Sequence, residues 1–363
     1  MSFGLRSLLE GAKKLAINGT GSTTAPISDL FVKADPAIDG DDCSHDCSSC
    51  STRYPRSFKV DHQDRLYGFV KGWSTHLLVA TGKSDWVRDV THEKGSVMEA
   101  VGSASSPTNG RMMLSASNIP TPSLSSKYTD PTRVLLLPAF VVVDNVTPAL
   151  VPVLLENLVS KAPTSITPLT GVNPPPTLPP SLPVPLTYHQ SPHSVLVLLC
   201  SQKTRDARCG QSAPMIRKEL ERHLRPLGLS RDLDDERPGG VGIYFISHVG
   251  GHKYSANMMV YRRPNAFGLD DVARGSLTEE EKAALPARIK STMPAAQRAG
   301  LVEDGDDVLN TSAAGASQCI WLARVMPEDC ENIVNYTILQ GKVVKPESQL
   351  RGGFDREKAL LSW

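Results

Sequence analysis

Apolar residues recur along the chain in short runs separated by polar or proline-rich stretches, and the runs carry two different periods. HLLVATG (76–82), GRMMLSAS (110–117) and RVLLLPAFVVV, which ends at Val143 before Asp144, read as strands. LVPVLLENLVSK (150–161) then changes to helical spacing. Further on, SVLVLLC (194–200) is a continuous apolar run suited to a buried strand. A polar loop follows, and Ser212 with Pro214 in the first turn predicts a helix carrying Ile216, Leu220 and Leu224 on one face. GVGIYFIS (240–247) and NMMVYRR (257–263) predict two more strands, and a late helix is expected from Pro327 and Glu328, with Ile333, Val334 and Ile338 on its face. Strand, loop, helix, paired strands, helix is the order of a thioredoxin-like sandwich, and the first block runs in a similar order.

These runs divide the chain. Residues 1–57 are expected to be a polar, largely flexible tail with a short amphipathic helix (Leu5, Leu8, Leu9, Ala12 and Ile17 near one face) and a cysteine-rich segment. Residues 58–160 form an N-terminal α/β domain in this reading. Residues 161–191 form a linker, because the ten prolines from Pro163 to Pro192 each remove a donor and fix φ, which favours polyproline II over an interior strand or helix. Residues 192–353 form the second α/β domain, and 354–363 a C-terminal tail.

Composition narrows the function classes. With 39 Lys and Arg against 38 Asp and Glu the formal charge is +1, so no global field argues for nucleic acid or anionic lipid. The longest apolar run, Val134 to Val143, carries Pro138 and is far shorter than the roughly 20 residues a spanning helix needs, so no membrane span is expected. No secretory h-region follows Met1, and the seven cysteines suit a compartment that keeps thiols reduced, where clustered ones serve metal or redox chemistry.

Two segments carry that chemistry. Cys200 ends a strand and Cys209 follows after eight intervening residues, just before a helix; His248-Val-Gly-Gly-His252 directly follows another strand. Functional groups gather at such strand ends. Two thiolates and two neutral imidazoles make four ligands, the number needed by tetrahedral zinc or by a 2Fe–2S cluster. The eight-residue loop is long for a zinc knuckle and for a cycling disulfide, and the adjacent glycines allow close backbone approach.

Cys-x8-Cys with His-x-Gly-Gly-His resembles the sucrase/ferredoxin-like family, the fungal and plant thioredoxin-like ferredoxins with a bis-histidinyl 2Fe–2S cluster. Gly110-Arg111 leading to Ser115-Ala116-Ser117-Asn118, the segment HVGGHKYSANMMVY (248–261), Trp321, Arg324, Pro327 and Glu328, Gly341-Lys342, and Leu350-Arg351-Gly352 agree with it. The resemblance implies a C-terminal thioredoxin-like ferredoxin domain, with Cys200 and Cys209 on one iron and His248 and His252 on the other. It implies one-electron transfer or redox sensing with a redox partner it does not name, rather than an enzyme with its own substrate. Neutral imidazoles in place of thiolates raise the potential and couple it to proton uptake. The alternative is a zinc-stabilised interaction module using the same four residues.

Other motifs are weighed against this. Cys43, Cys47 and Cys50 have the Cys-x3-Cys-x2-Cys spacing of radical-SAM enzymes, but no strand precedes them and no βα-barrel pattern follows, leaving a possible second thiol or metal cluster, with His45 as a further ligand. No carboxylate pair suited to a glycosidase is evident. Leu361, Ser362 and Trp363 place an aromatic anchor beside a carboxylate, a good docking peptide if mobile. They resemble the tripeptide by which clients reach the cytosolic iron–sulfur assembly targeting complex. That favours a cytoplasmic location, with mitochondrial import through the amphipathic N-terminal helix as the alternative.

Overall fold

The computed structural model describes residues 24–169, 178–292 and 315–363; the expected N-terminal amphipathic helix lies outside them. The twelve strands are β1 (Thr75–Ala80), β2 (Met112–Ser117), β3 (Thr132–Leu137), β4 (Val141–Val146), β5 (Thr187–Gln190), β6 (Val195–Cys200), β7 (Ser230–Arg231), β8 (Val241–Ile246), β9 (Met258–Arg262), β10 (Gln318–Leu322), β11 (Leu350–Asp355) and β12 (Leu360–Leu361). The helices that matter here are α1 (Val97–Ser103), α2 (Val151–Asn157), α3 (Ala207–Leu224) and α4 (Cys330–Asn332), which continues into a π-helical turn at Ile333–Ile338.

All twelve strands belong to one mixed sheet, in the order β12-β11-β10-β9-β6-β8-β2-β1-β3-β4-β5, with β7 beside β8. The two halves repeat a pattern. In the first, β1 is parallel to β2 and antiparallel to β3, which pairs with β4; in the second, β6 is parallel to β8 and antiparallel to β9, which pairs with β10. The halves meet where Ser117 of β2 opposes Ile246 of β8. Polar side chains complete this seam: Ser117 Oγ donates to the Phe245 carbonyl, Asn118 Oδ1 accepts from the Phe245 amide, and the Ala116 amide donates to Ser247 Oγ.

Alternation along β6 shows how the sheet is covered. Val195, Val197 and Leu199 face Ile216, Leu220 and Leu224 of α3, while Leu196 and Leu198 face a second layer with Leu78, Leu135, Phe140 and Trp321. That second layer draws on both halves. β1 is split the same way, with Leu77 and Val79 packing toward α1 and α2.

Several expectations are corrected. The run ending at Val143 is two strands, β3 and β4, because the chain reverses through Pro138, Ala139 and Phe140, the last in the left-handed region at φ 56°. α3 begins at Ala207, not Ser212, because Asp206 caps it by accepting from the Arg208 amide; Pro214 sits inside the helix, leaving the Gly210 carbonyl without an i+4 donor. Within the expected flexible tail, residues 24–57 are packed, with Leu30, Phe31, Cys43, Cys47 and Cys50 buried. Part of the proline-rich stretch forms edge strand β5, which pairs with β4. The segment expected as a C-terminal tail supplies the end of β11 and all of β12. α1, β10, β11 and β12 had no counterpart in the sequence reading.

Candidate metal centre

β6 and β8 are parallel neighbours, so their carboxyl ends bring two loops to one place. Cys200 is the last residue of β6 and 2% exposed; Cys209 lies in the first turn of α3 and is fully buried. His248 and His252 follow β8. Donor atoms of Cys200, Cys209 and His248 all lie within 4.8 Å of one another, with Cys200 Sγ 3.8 Å from His248 Nδ1. His252 falls outside that trio, but its ring centroid is 5.3 Å from that of His248.

The electrostatics favour a ligated state. Cys209 is held down at about 5, chiefly by the neighbouring Cys200 thiol, with burial opposing and His248 and Ser255 assisting; proximity to Cys209 and burial push Cys200 well up. The pair therefore loses one proton readily and keeps the other unless a cation replaces it. His252 Nδ1 is buried without a hydrogen-bond partner, while its Nε2 faces Asp206 Oδ2 at 3.9 Å. His252 thus has an Nδ1 free to act as a ligand, while His248 already turns its Nδ1 to Cys200 Sγ.

The loops are held from outside. The His248 amide donates to Gln202 Oε1, whose amide nitrogen donates to the Val87 carbonyl in the loop after β1. Arg351 from β11 donates to the Gly250 carbonyl and to Asn257 Oδ1, and Asn257 donates to the Gly251 carbonyl. Gly251 is required twice over: its φ is +69°, and a Cβ there would lie 2.7 Å from Arg351 Nη2. Arg351 also stacks over the Trp321 ring, 4.3 Å from its centroid.

The remaining candidates are placed as follows. Cys47 and Cys50 meet His223 of α3 in a second group whose donor atoms lie within 4.8 Å. Cys43 is apart from them, packed with Ala34 and Tyr336, and His45 is exposed. Leu361, Ser362 and Trp363 are seated in the fold rather than mobile. Ser362 is fully buried and accepts from the Gly353 amide, and the Trp363 ring stacks on Trp73 at 4.4 Å, over Gly72, where any Cβ would collide with it. Among the described residues no helix is long and apolar enough to cross a membrane. Sequence reasoning missed Gln202, Asp206, Asn257 and Arg351 as supports and His223 as a donor; an Asp just before a helix is a capping signal for the second of these.

A family model described as sucrase/ferredoxin-like matches residues 66–352. The chain belongs to this family. Among its relatives, actin patches distal protein 1 of Saccharomyces cerevisiae is 28% identical over 278 residues, covering 70% of this chain and 82% of that protein. Altered inheritance of mitochondria protein 32 of Clavispora lusitaniae is 26% identical over 162 residues, 44% of this chain and 37% of that protein. The protein of the same name from Debaryomyces hansenii is 35% identical over 66 residues, 18% of this chain and 20% of that protein. No solved structure matches the chain. The family match covers all four residues of the first centre and stops short of Cys47, Cys50 and the C-terminal tripeptide.

Proposed function

We propose that this chain is a 2Fe–2S protein of one-electron transfer or redox sensing, with Cys200, Cys209, His248 and His252 as ligands and the second half of the sheet as a thioredoxin-like ferredoxin unit. The observation that carries the reading is the convergence of two buried thiols on His248 at the ends of two parallel strands, with the orphaned Nδ1 of His252 alongside. When bound, the cluster supplies a site that accepts and releases one electron. The chain's own groups set the conditions. Burial keeps the thiol side dry, and His252 presents Nε2, the nitrogen away from the ligand atom, toward Asp206. An electron arriving beside these rings raises the proton affinity of their outer nitrogens, so the midpoint potential falls with pH by up to about 59 mV per unit in the coupled range.

The compactness of the trio favours a second reading, a single zinc ion in an interaction module, since a Cys200 to His248 edge of 3.8 Å also suits one tetrahedral ion. Iron and acid-labile sulfide analysis of anaerobically prepared protein, with its visible spectrum, separates the two. Two irons and two sulfides in a coloured protein are expected; a colourless zinc protein overturns the cluster reading.

The C-terminal tripeptide serves, in this reading, as the handle for the cytosolic iron–sulfur assembly targeting complex, which requires its release from Trp73. Deleting Trp363 is expected to lower iron occupancy in cells, and unchanged occupancy removes the handle. Cytoplasmic residence goes with this proposal, and mitochondrial residence is its alternative.

A further inference from the structure

The second thiol group lies at the other end of α3. Cys209 and His223 are 14 positions apart on one helix, which at 1.5 Å per residue separates the two groups by about 21 Å. Cys47 Sγ and Cys50 Sγ are each 3.8 Å from His223 Nε2. With Zn–S near 2.3 Å and Zn–N near 2.0 Å, tetrahedral geometry demands sulfur-to-nitrogen edges of about 3.6 Å, close to both sulfur-to-nitrogen distances here. A cationic group already addresses all three. Arg222 Nη2 lies 3.4 Å from Cys47 Sγ, 3.2 Å from Cys50 Sγ and 3.0 Å from His223 Nε2. His223 therefore offers its Nε2 lone pair inward, while its Nδ1 faces outward, with Glu331 Oε1 4.0 Å away, beyond hydrogen-bond reach.

A buried carboxylate stands just outside this group of three. Glu219 lies four residues before His223, on the same helical face. Its side chain is 1% exposed; Oε2 accepts from Arg222 Nε at 2.8 Å, and the Thr52 and Cys50 side chains neighbour the same carboxylate. We propose that Cys47, Cys50 and His223 form a second metal site, distinct from the Cys200 centre, that takes one Zn²⁺, with the Glu219 carboxylate closing in as the fourth ligand when the ion binds. Binding releases the two thiol protons to solvent as the two Zn–S bonds form, and no oxidant or reductant is needed. Two thiolates, one carboxylate, the ion and the displaced Arg222 then sum to zero charge. The ion fastens the N-terminal segment to α3 and to the turn before α4, where the Cys47 amide already donates to the Glu328 carbonyl and Cys50 Sγ to the Pro327 carbonyl.

Zinc and the metal of the Cys200 centre are measured together, by mass spectrometry of the full chain purified without chelator. Wild type is expected to carry about one zinc per chain at this site. The double variant Cys47→Ser/Cys50→Ser loses that zinc and keeps the metal of the Cys200 centre; Cys200→Ser/Cys209→Ser does the reverse. His223→Gln, a single change of a mostly buried side chain that tests the site should the double serine variant fail to fold, weakens zinc binding by about tenfold or more. Zinc content unaffected by either change at the second group overturns the proposal. So does recovery of a metal-free Cys47–Cys50 disulfide from protein prepared under nitrogen, or simultaneous loss of both metals in folded Cys47→Ser/Cys50→Ser protein.

Discussion

The two thiol–imidazole groups hang from opposite ends of α3 and are built from different neighbours. At the Cys209 end the surroundings are buried strand ends, an orphaned imidazole nitrogen and a glycine loop clamped from behind by Arg351; Arg351 contacts backbone and Asn257, not the sulfurs. At the His223 end a guanidinium lies directly against both sulfurs and the ring, with a buried carboxylate behind it. A positive side chain that touches the donors makes them a closed, charge-balanced polar cluster, whereas one held a shell away leaves the donors uncompensated. The Cys209 end suits a site that must change charge; the His223 end suits one whose charge stays fixed.

The sharpest way to break this contrast is to remove a sulfur. Cys209→Ser is expected to abolish metal retention and colour at the first centre while zinc at the second is unchanged, read by metal analysis and visible absorption. Loss at both ends would mean that the groups are one unit. Next in size is Gly251→Val, which forces a β-branched residue into the left-handed region and against Arg351, at a cost of roughly 2–4 kcal/mol in denaturant unfolding. An equal loss from Gly250→Val, where a Cβ meets nothing within 4 Å, would show that strain alone matters and not the arginine clamp.

A third imidazole marks what a ligand histidine is not. His76 is fully buried in β1 and satisfied at both nitrogens, by the Tyr261 hydroxyl at 3.0 Å and Ser115 Oγ at 2.8 Å. Burial pushes its pKa down to about 3 from the usual 6.5. The unfolded chain binds a proton there that the folded chain refuses. Its contribution is thus complete above pH ~6.5 and is lost as pH falls toward 3, by about 1.4 kcal/mol per unit. Urea midpoints from pH 7 to 4 should fall less steeply in His76→Gln; an unchanged slope would assign the acid sensitivity elsewhere. The smallest effect concerns Asp206. Asp206→Asn keeps a capping oxygen but removes the charge facing His252 Nε2, and is expected to raise the midpoint potential by tens of mV at pH 7. Protein-film voltammetry reads this shift, and a fall in potential would contradict it.

Much of this was legible in the residues themselves. β6, β8 and β9 could be read because a strand buried on both faces writes itself as an unbroken apolar run, and the Cys-x8-Cys and His-x-Gly-Gly-His segments stand at the ends of two of them. Single-residue conformations were not legible. One turn at Phe140 makes two strands of an apparent single run, and Asp206 starts α3 five residues before the Ser212 start that its apolar face suggests. His223 was hidden for another reason. It lies 173 residues from Cys50 along the chain, and spacing arguments see only donors close in sequence. Arg351 is invisible as a support because its role, clamping Gly250 and Asn257, exists only after β11 has joined the sheet.

Pro214 lies between the two ends of α3 and cannot donate to the Gly210 carbonyl. The hydrogen-bond ladder of the helix is therefore interrupted close to Cys209, while the ten residues from Pro214 to His223 pack Ile216 and Leu220 into the main core. Amide protons in the first turn are expected to exchange through local openings that leave the rest of the rod closed. The end that carries Cys209 can then loosen to admit its cargo without unseating anything held at the far end.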